Sequence, residues 1–315
     1  MNKMTDSSLH RATWRQLKTF VTVAKLGSVS EAAKELHITQ PAVSMQLRDL
    51  ESHCGIALYE RIGRRIELTD AGREMANCGR AVAEQMRQTE ELFAQMRGLK
   101  RGVLRLDTVS TAKYFAPSLL ASFQQDHPDI TIRFAVGNRE DMVRHLSDND
   151  CDLVIMGRPP NEIDVEAVPF ASHPLVFVAS SKHALARRRR IPLTALAAES
   201  LLIREPGSGT RAAMEELFAT GGVTFNASME VSSNETIKQA VLAGMGIAFL
   251  SAHTIASEVQ TGRLVILKVV GMPVMRQWHV VHRAGKRLSP VATAFRAFVI
   301  ERGQRIIDEM GIAGF

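Results

Sequence analysis

AKLGSVSEAAKELHITQPAVSMQLRDLES, residues 24–52, is the stretch whose reading decides the architecture of this chain. Gly27 stops a first helix, Trp14 to Lys25, whose apolar positions Leu17, Phe20, Val21 and Ala24 recur at helical spacing. Ser28-Val29-Ser30 starts a second helix, with Ser30 read as its N-cap. After the tight connection His37-Ile38-Thr39, a third helix opens at Gln40, with Pro41 in its first turn, where a missing N–H costs nothing. It runs to about Ser52 and buries Val43, Leu47 and Leu50. Two short extended stretches around the tip Gly63-Arg64-Arg65 then form a β-hairpin.

Two helices joined by a short turn and followed by a basic wing suit DNA reading, with the third helix in the major groove. Gln40, Pro41, Ser44, Met45 and Arg48 share one face of that helix, opposite its apolar stripe. Glutamine pairs bidentately with adenine, serine bonds either way, and proline and methionine meet a thymine methyl. Arg48, farther down the helix, reads as a phosphate contact, and Arg61, Arg64 and Arg65 on the wing as phosphate or minor-groove contacts. Residues 1–68 hold ten Lys and Arg against seven Asp and Glu, only +3, so charge alone leaves a protein-binding helical domain open.

Thr69-Asp70 caps a long helix to about Arg97. Met75, Cys78, Val82, Met86, Thr89, Phe93 and Met96 recur along it every three or four residues, read as the seam for a partner helix in a dimer, with a long helix lying on its own domain as the alternative. Gly98 to Gly102 marks a domain boundary, so the chain divides into residues 1–68, a linker 69–98 and residues 99–315. Beyond it strands and helices alternate, as in α/β domains with parallel sheets. Some 210 residues are generous for one sheet. They are read as two α/β lobes, about 102–172 with 273–315 and about 173–272, with a cleft between them.

Such a cleft takes its ligand at strand ends and helix N-termini. Ser110 and Thr111, Asn138, Gly157 and Arg158, the loop Arg204 to Arg211 with Glu205, Ser208 and Thr210, and Asn234 all follow predicted strands or open helices. Arg204 and Arg211 are candidate clamps for a phosphate or carboxylate. Each hydroxyl or amide is equally suited to capping its own helix, and Arg204-Glu205 to an internal salt bridge. The Gly-Ser-Gly-Thr stretch lacks the lysine and spacing of a Walker loop.

The 315 residues carry 39 Lys and Arg and 33 Asp and Glu, a net +6, compatible with a nucleic-acid partner. Three cysteines with no CxxC spacing argue against a disulfide scaffold or a cysteine zinc site, and no metal is expected. The start, MNKMTDSSLH, has no apolar core, and the most apolar window, 240–252, is too short to span a bilayer; a cytoplasmic protein with no membrane partner is expected. No HExxH or GxSxG is present, so no catalytic residue is assigned. Asp148, Asp150 and Asp152 read as a solvated turn, and the run Arg187–Arg190 as a solvated loop.

The quoted stretch, with Gln46 to Glu51, Gly55, Leu58 to Arg61 and Leu68 to Gly72, resembles the winged helix-turn-helix of LysR-type transcriptional regulators. Tyr59 stands where that family usually shows phenylalanine. The resemblance spans essentially the whole chain. It implies a winged helix, a linker helix and a two-lobed α/β domain like periplasmic binding proteins. It also implies a homotetramer built from dimers, promoter DNA and RNA polymerase as partners, and a small-molecule effector.

Ser110 to Pro117, Val136 to Glu140, Ile155 to Pro160 and Arg204 to Arg211 further resemble the Calvin-cycle (RuBisCO operon) regulators of the CbbR subgroup. That implies an activator answering to a phosphorylated sugar metabolite or NADPH, with no bound cofactor. The competing readings are a LysR-type regulator of another operon, an enzyme on a phosphorylated metabolite, and a solute-binding protein. A gel shift with the cognate upstream DNA separates the last two from a regulator.

Overall fold

A computed structural model describes residues 8–63, 65–96 and 102–312. Arg64 and the boundary residues 98–101 lie outside these. The chain divides between Met96 and Arg97 into two units, so the linker helix belongs to the N-terminal one.

In the first unit, α1 (Trp14–Leu26), α2 (Val29–Glu35) and α3 (Gln40–Cys54) precede a hairpin of β1 (Tyr59–Ile62) and β2 (Arg65–Leu68). Each helix begins where a hydroxyl satisfies an orphan N–H: Thr13 accepts from Gln16, Ser28 from Glu31 and Thr39 from Ala42. The second cap is therefore Ser28, not Ser30. Ser30 lies inside the helix, because Gly27 turns the chain in the left-handed region (φ 62°) one residue before the cap. Phe20, Val23, Ala32, Val43, Leu47, Leu50 and Leu58 close the core. Thr19 Oγ1 donates to Gln46 Oε1 at 2.6 Å, fixing α3 on α1. Register in the wing runs Tyr59 opposite Leu68 to Ile62 opposite Arg65.

The linker helix, α4, spans Asp70–Met96. Met75 packs into the winged-helix core and so leaves the expected seam. Met86 and Phe93 are 46% and 55% exposed, Cys78 is exposed, and Val82 is half-buried. The side chain of Met96 lies outside the described set.

The second unit contains β3 (Gly102–Val109), α5 (Ala116–Asp126), β4 (Ile130–Gly137), α6 (Arg139–Asp148), β5 (Leu153–Met156) and β6 (Val165–Ser180). Then come α7 (Leu193–Leu196), β7 (Leu201–Arg204), α8 (Gly209–Thr220), β8 (Ala227–Val231), α9 (Asn234–Leu242) and β9 (Ile247–Ser251). The last are α10 (Ala256–Gln260), β10 (Leu264–Ile266), β11 (Val274–Arg283) and α11 (Pro290–Ile307).

The purely parallel expectation is corrected. Nine strands form one mixed sheet, ordered β4-β3-β5-β11-β6-β9-β7-β8, with β10 on β6. The outer pairs β3–β4, β3–β5, β7–β8 and β7–β9 are parallel, whereas β6 and β11 run antiparallel to their neighbours. These two long strands pair over ten residues and belong to both lobes. One lobe core gathers around Phe115, Phe123, Trp278 and Phe295, and the other around Phe177, Phe218 and Phe249. No described helix is long and apolar enough to cross a membrane.

Asp152 is not in a solvated turn. It is fully buried, accepts the Arg105 N–H at 2.9 Å and lies 3.4 Å from the Lys286 ammonium.

Candidate effector cleft and DNA-reading face

On the reading helix Gln40, Pro41, Met45 and Arg48 are exposed and Ser44 is half-buried, while Val43, Leu47 and Leu50 are sealed. Arg61 and Arg65 are exposed on the wing. The five helix residues therefore form one accessible face, as their spacing requires. Replacing Gln40 with Ala should lower specific DNA affinity by about 1–3 kcal/mol, the usual worth of a base-edge contact. Quantitative footprinting checks this; an unchanged footprint at the parent's concentration would move the reading face elsewhere.

The second unit holds a cleft of about 640 Å³, part of it open to solvent. Ser110, Thr111, Asn138, Gly157, Arg158, Arg204, Ser208 and Thr210 line it, together with Arg139, Met156, His173, Leu175, Glu216 and Arg276. The strand ends do gather here, because β3, β5 and β7 terminate at Val109, Met156 and Arg204.

Three anticipated residues stand elsewhere. Arg211 turns outward to Glu215 (2.8 Å) and Glu230 (2.6 Å), because its place in the first turn of α8 sets Glu215 one turn below it. Glu205 clasps Arg204 at 2.7 and 2.9 Å. Asn234 lies behind Arg204 and accepts from its guanidinium. The internal salt bridge is thus realised. Arg204 is 2% exposed and also donates to Ser110 Oγ (3.2 Å) and the Ser232 carbonyl (3.3 Å). It ties the end of β3 in one lobe to the start of α9 in the other. Near it, the Tyr114 hydroxyl donates to Glu235 across the lobes.

The hydroxyls and amides divide by use. Asn138 caps α6 in a reciprocal box with Asp141. Ser208 sits at the N-cap of α8 and Thr111 precedes a short 3-10 turn, and neither uses its hydroxyl as a cap. Both are buried in the cleft wall, as is Thr210. The start of α8, where Ser208, Gly209 and Thr210 line the cleft, therefore carries no side-chain cap and lies at the positive end of the helix dipole.

Four arginines and one glutamate line this space. Glu216 lies 2.8 Å from Arg276 and 3.8 Å from Arg158. Arg139 forms a fork on Glu162, outside this lining, and that hydrogen bond holds the Glu162 carboxyl down at about 2. The lining is net cationic.

His173 and Arg276 are residues that a search along strand ends does not reach. They stand opposite each other mid-strand on β6 and β11. His173 stacks on Trp278, with ring centroids 3.8 Å apart, and neither imidazole nitrogen has a hydrogen-bond partner among the described residues. A Cβ at Gly157 would stand 2.7 Å from its Nδ1, so glycine is required there. Burial, aided by His253, Arg276 and His279, holds His173 well below the usual histidine range. Burial also brings His253 down to about 4.

Both groups are neutral in the fold and gain protons in the unfolded chain, so stability is intact above pH 6.5 and falls below it. From His253 alone the loss at pH 5 is about 2 kcal/mol. Urea unfolding at pH 7 and pH 5 checks this, and a His253→Asn protein should show the smaller difference.

Residues 14–73 match the family description "Bacterial regulatory helix-turn-helix protein, lysR family", and residues 97–304 match "LysR substrate binding domain". The chain belongs to the LysR family. It is accordingly a DNA-binding transcriptional regulator, not an enzyme.

Among LysR relatives, the RuBisCO operon transcriptional regulator of Allochromatium vinosum is 48% identical over 297 residues, 94% of this chain and 98% of that protein. The regulator CfxR of Cupriavidus necator is 45% identical, over 94% and 93% of the two chains. The solved regulatory domain of CcmR from Synechocystis PCC6803, in complex with 2-PG, is 42% identical with a TM-score of 0.62; it covers 64% of this chain and 96% of that one. A full-length OxyR variant from Pseudomonas aeruginosa, 23% identical and covering 96% of each chain, shares the LysR fold with a TM-score of 0.73.

Proposed function

We propose that this LysR regulator activates a carbon-fixation operon and is controlled by a small phosphorylated carboxylate held in the cleft. The observation that carries the reading is the uncapped start of α8, where Ser208, Gly209 and Thr210 meet Thr111 in a net cationic lining. A helix N-terminus with free hydroxyls suits a phosphate, and arginines at the other walls suit a carboxylate. The CcmR domain bound to 2-PG supports 2-phosphoglycolate as the first candidate. A phosphorylated sugar or NADPH is the alternative effector, and the reading needs no bound cofactor.

The relatives' names support the target operon. The exposed apolar stripe of α4 supports pairing of linker helices within a dimer of dimers. The regulator would act in the cytoplasm, on promoter DNA and through RNA polymerase. An effector acts only by preferring one arrangement of the lobes over another, and Arg204 and Tyr114, which cross between them, are placed to sense that. Calorimetric titration of the full chain with 2-phosphoglycolate tests the reading.

A further inference from the structure

We propose that a basic surface on the second lobe, away from the cleft lining, is a binding site for the phosphate backbone of DNA, additional to the winged helix. The surface is assembled from two segments. After β6 the chain carries Lys182 and then Arg187, Arg188, Arg189 and Arg190. Arg263 and Lys268 flank β10. Hydrogen bonds stitch the segments at both ends: Ser181 N–H to the Arg263 carbonyl (3.2 Å), and Ile191 N–H to the Lys268 carbonyl (3.0 Å). Arg263 and Lys268 are five residues apart, about 17 Å of extended chain.

All seven cations are exposed, and none forms an ion pair among the described residues. The neighbouring carboxylates are turned elsewhere. Glu199 lies against His183 (3.5 Å). Glu258, whose carbonyl accepts from the Arg263 N–H, gives its carboxylate to Lys238 (2.9 Å).

The charge arithmetic makes this surface unusual. The chain holds 39 basic and 33 acidic residues; without these seven it would hold 32 against 33, changing its net charge from +6 to −1. This one surface therefore carries more positive charge than the whole chain's excess, on a domain whose family role is effector sensing. Four consecutive arginines repel one another and form no ion pair among the described residues, so their use lies in a polyanion outside the fold. Once the winged helix holds DNA, that polyanion is tethered beside the protein, and the second contact becomes an intramolecular event at high effective concentration. DNA is thereby favoured over an acidic protein surface.

The test is a salt titration of the full chain on a 60-base-pair duplex of mixed sequence, followed by fluorescence anisotropy. The parent is compared with a protein carrying Arg187→Gln, Arg188→Gln, Arg189→Gln and Arg190→Gln, all exposed changes, and with the matching four-lysine protein. Each lost phosphate contact reduces the slope of log K against log salt by about 0.9. Loss of three to four contacts would weaken binding at 50 mM salt roughly 40- to 150-fold more than at 200 mM. The lysine protein should keep the parent's slope. An unchanged slope in the glutamine protein overturns the proposal. If that protein also loses activation in a purified transcription reaction, the surface docks on an acidic protein instead. The measurement needs neither effector nor operator, so it stands apart from the reading of the cleft.

Discussion

A protein carrying Val82→Asp and Phe93→Asp is expected to sediment as a monomer and to bind DNA half-sites only weakly. Along the 27 residues of α4, Cys78, Val82, Met86 and Phe93 repeat at intervals of four and seven, and three of them are exposed in the single chain. Covering such a side chain contributes about 1.5–3 kcal/mol. Removing two positions from both helices of a pair therefore costs roughly 6–12 kcal/mol, at least four decades in dimer dissociation constant. Analytical ultracentrifugation is the check. A double variant that sediments as the parent does would place the subunit interface away from the linker. Met75 is excluded from this test because it seals the winged-helix core, where a charge would unfold the domain instead.

Arg204→Ala is expected to destabilise the second unit by about 3–5 kcal/mol, the cost of leaving one partner of a buried ion pair alone. The guanidinium is 2% exposed and serves Glu205, Asn234, Ser110 and the Ser232 carbonyl at once. Its removal strands the Glu205 carboxylate and leaves Ser110 only the longer bond from the Asn234 amide (3.4 Å) to the opposite lobe. At about 2–4 °C per kcal/mol the melting temperature should fall by roughly 6–20 °C. Thr111→Val, which removes one hydroxyl at nearly constant volume, should melt within about 2 °C of the parent. Were Arg204→Ala to melt like the parent, the network would contribute little, and Arg204 would be free to serve as a ligand clamp. Differential scanning calorimetry separates the two.

What the sequence makes legible, and what it hides, follows from the range of the forces involved. Helix signals are local, lying in one short window, so α1 with its stop at Gly27 and the start of α3 at Gln40 can be read directly. The cap of α2 slips from Ser30 to Ser28 because both serines satisfy the same pattern and only the turn at Gly27 decides. Strands buried on both faces, such as Leu153–Met156, announce themselves as apolar runs.

The long strands β6 and β11 do not. Their outer parts mix exposed and partly buried positions, and only the sections Leu175–Ala179 and Trp278–His282 stand out. Reading only these sections hides the full length of the strands and the antiparallel centre of the sheet. With it go His173 and Arg276, which become cleft residues only through the register that sets them side by side. Hydroxyls at strand ends are visible because α/β folds place ligands there. Arg211 enters that set through its loop, although Glu215, four residues on, already signals a helix-surface pair.

The account rests on a cleft that binds a small phosphorylated carboxylate at the start of α8. The most direct measurement is isothermal titration of the full chain with 2-phosphoglycolate, repeated on Thr111→Val and Ser208→Ala. Saturable binding by the parent is predicted. Each variant should bind roughly tenfold to a hundredfold more weakly, since a hydrogen bond to a charged group contributes about 1.5–3 kcal/mol. No saturable binding by the parent at millimolar ligand, or binding that neither substitution weakens, would contradict it.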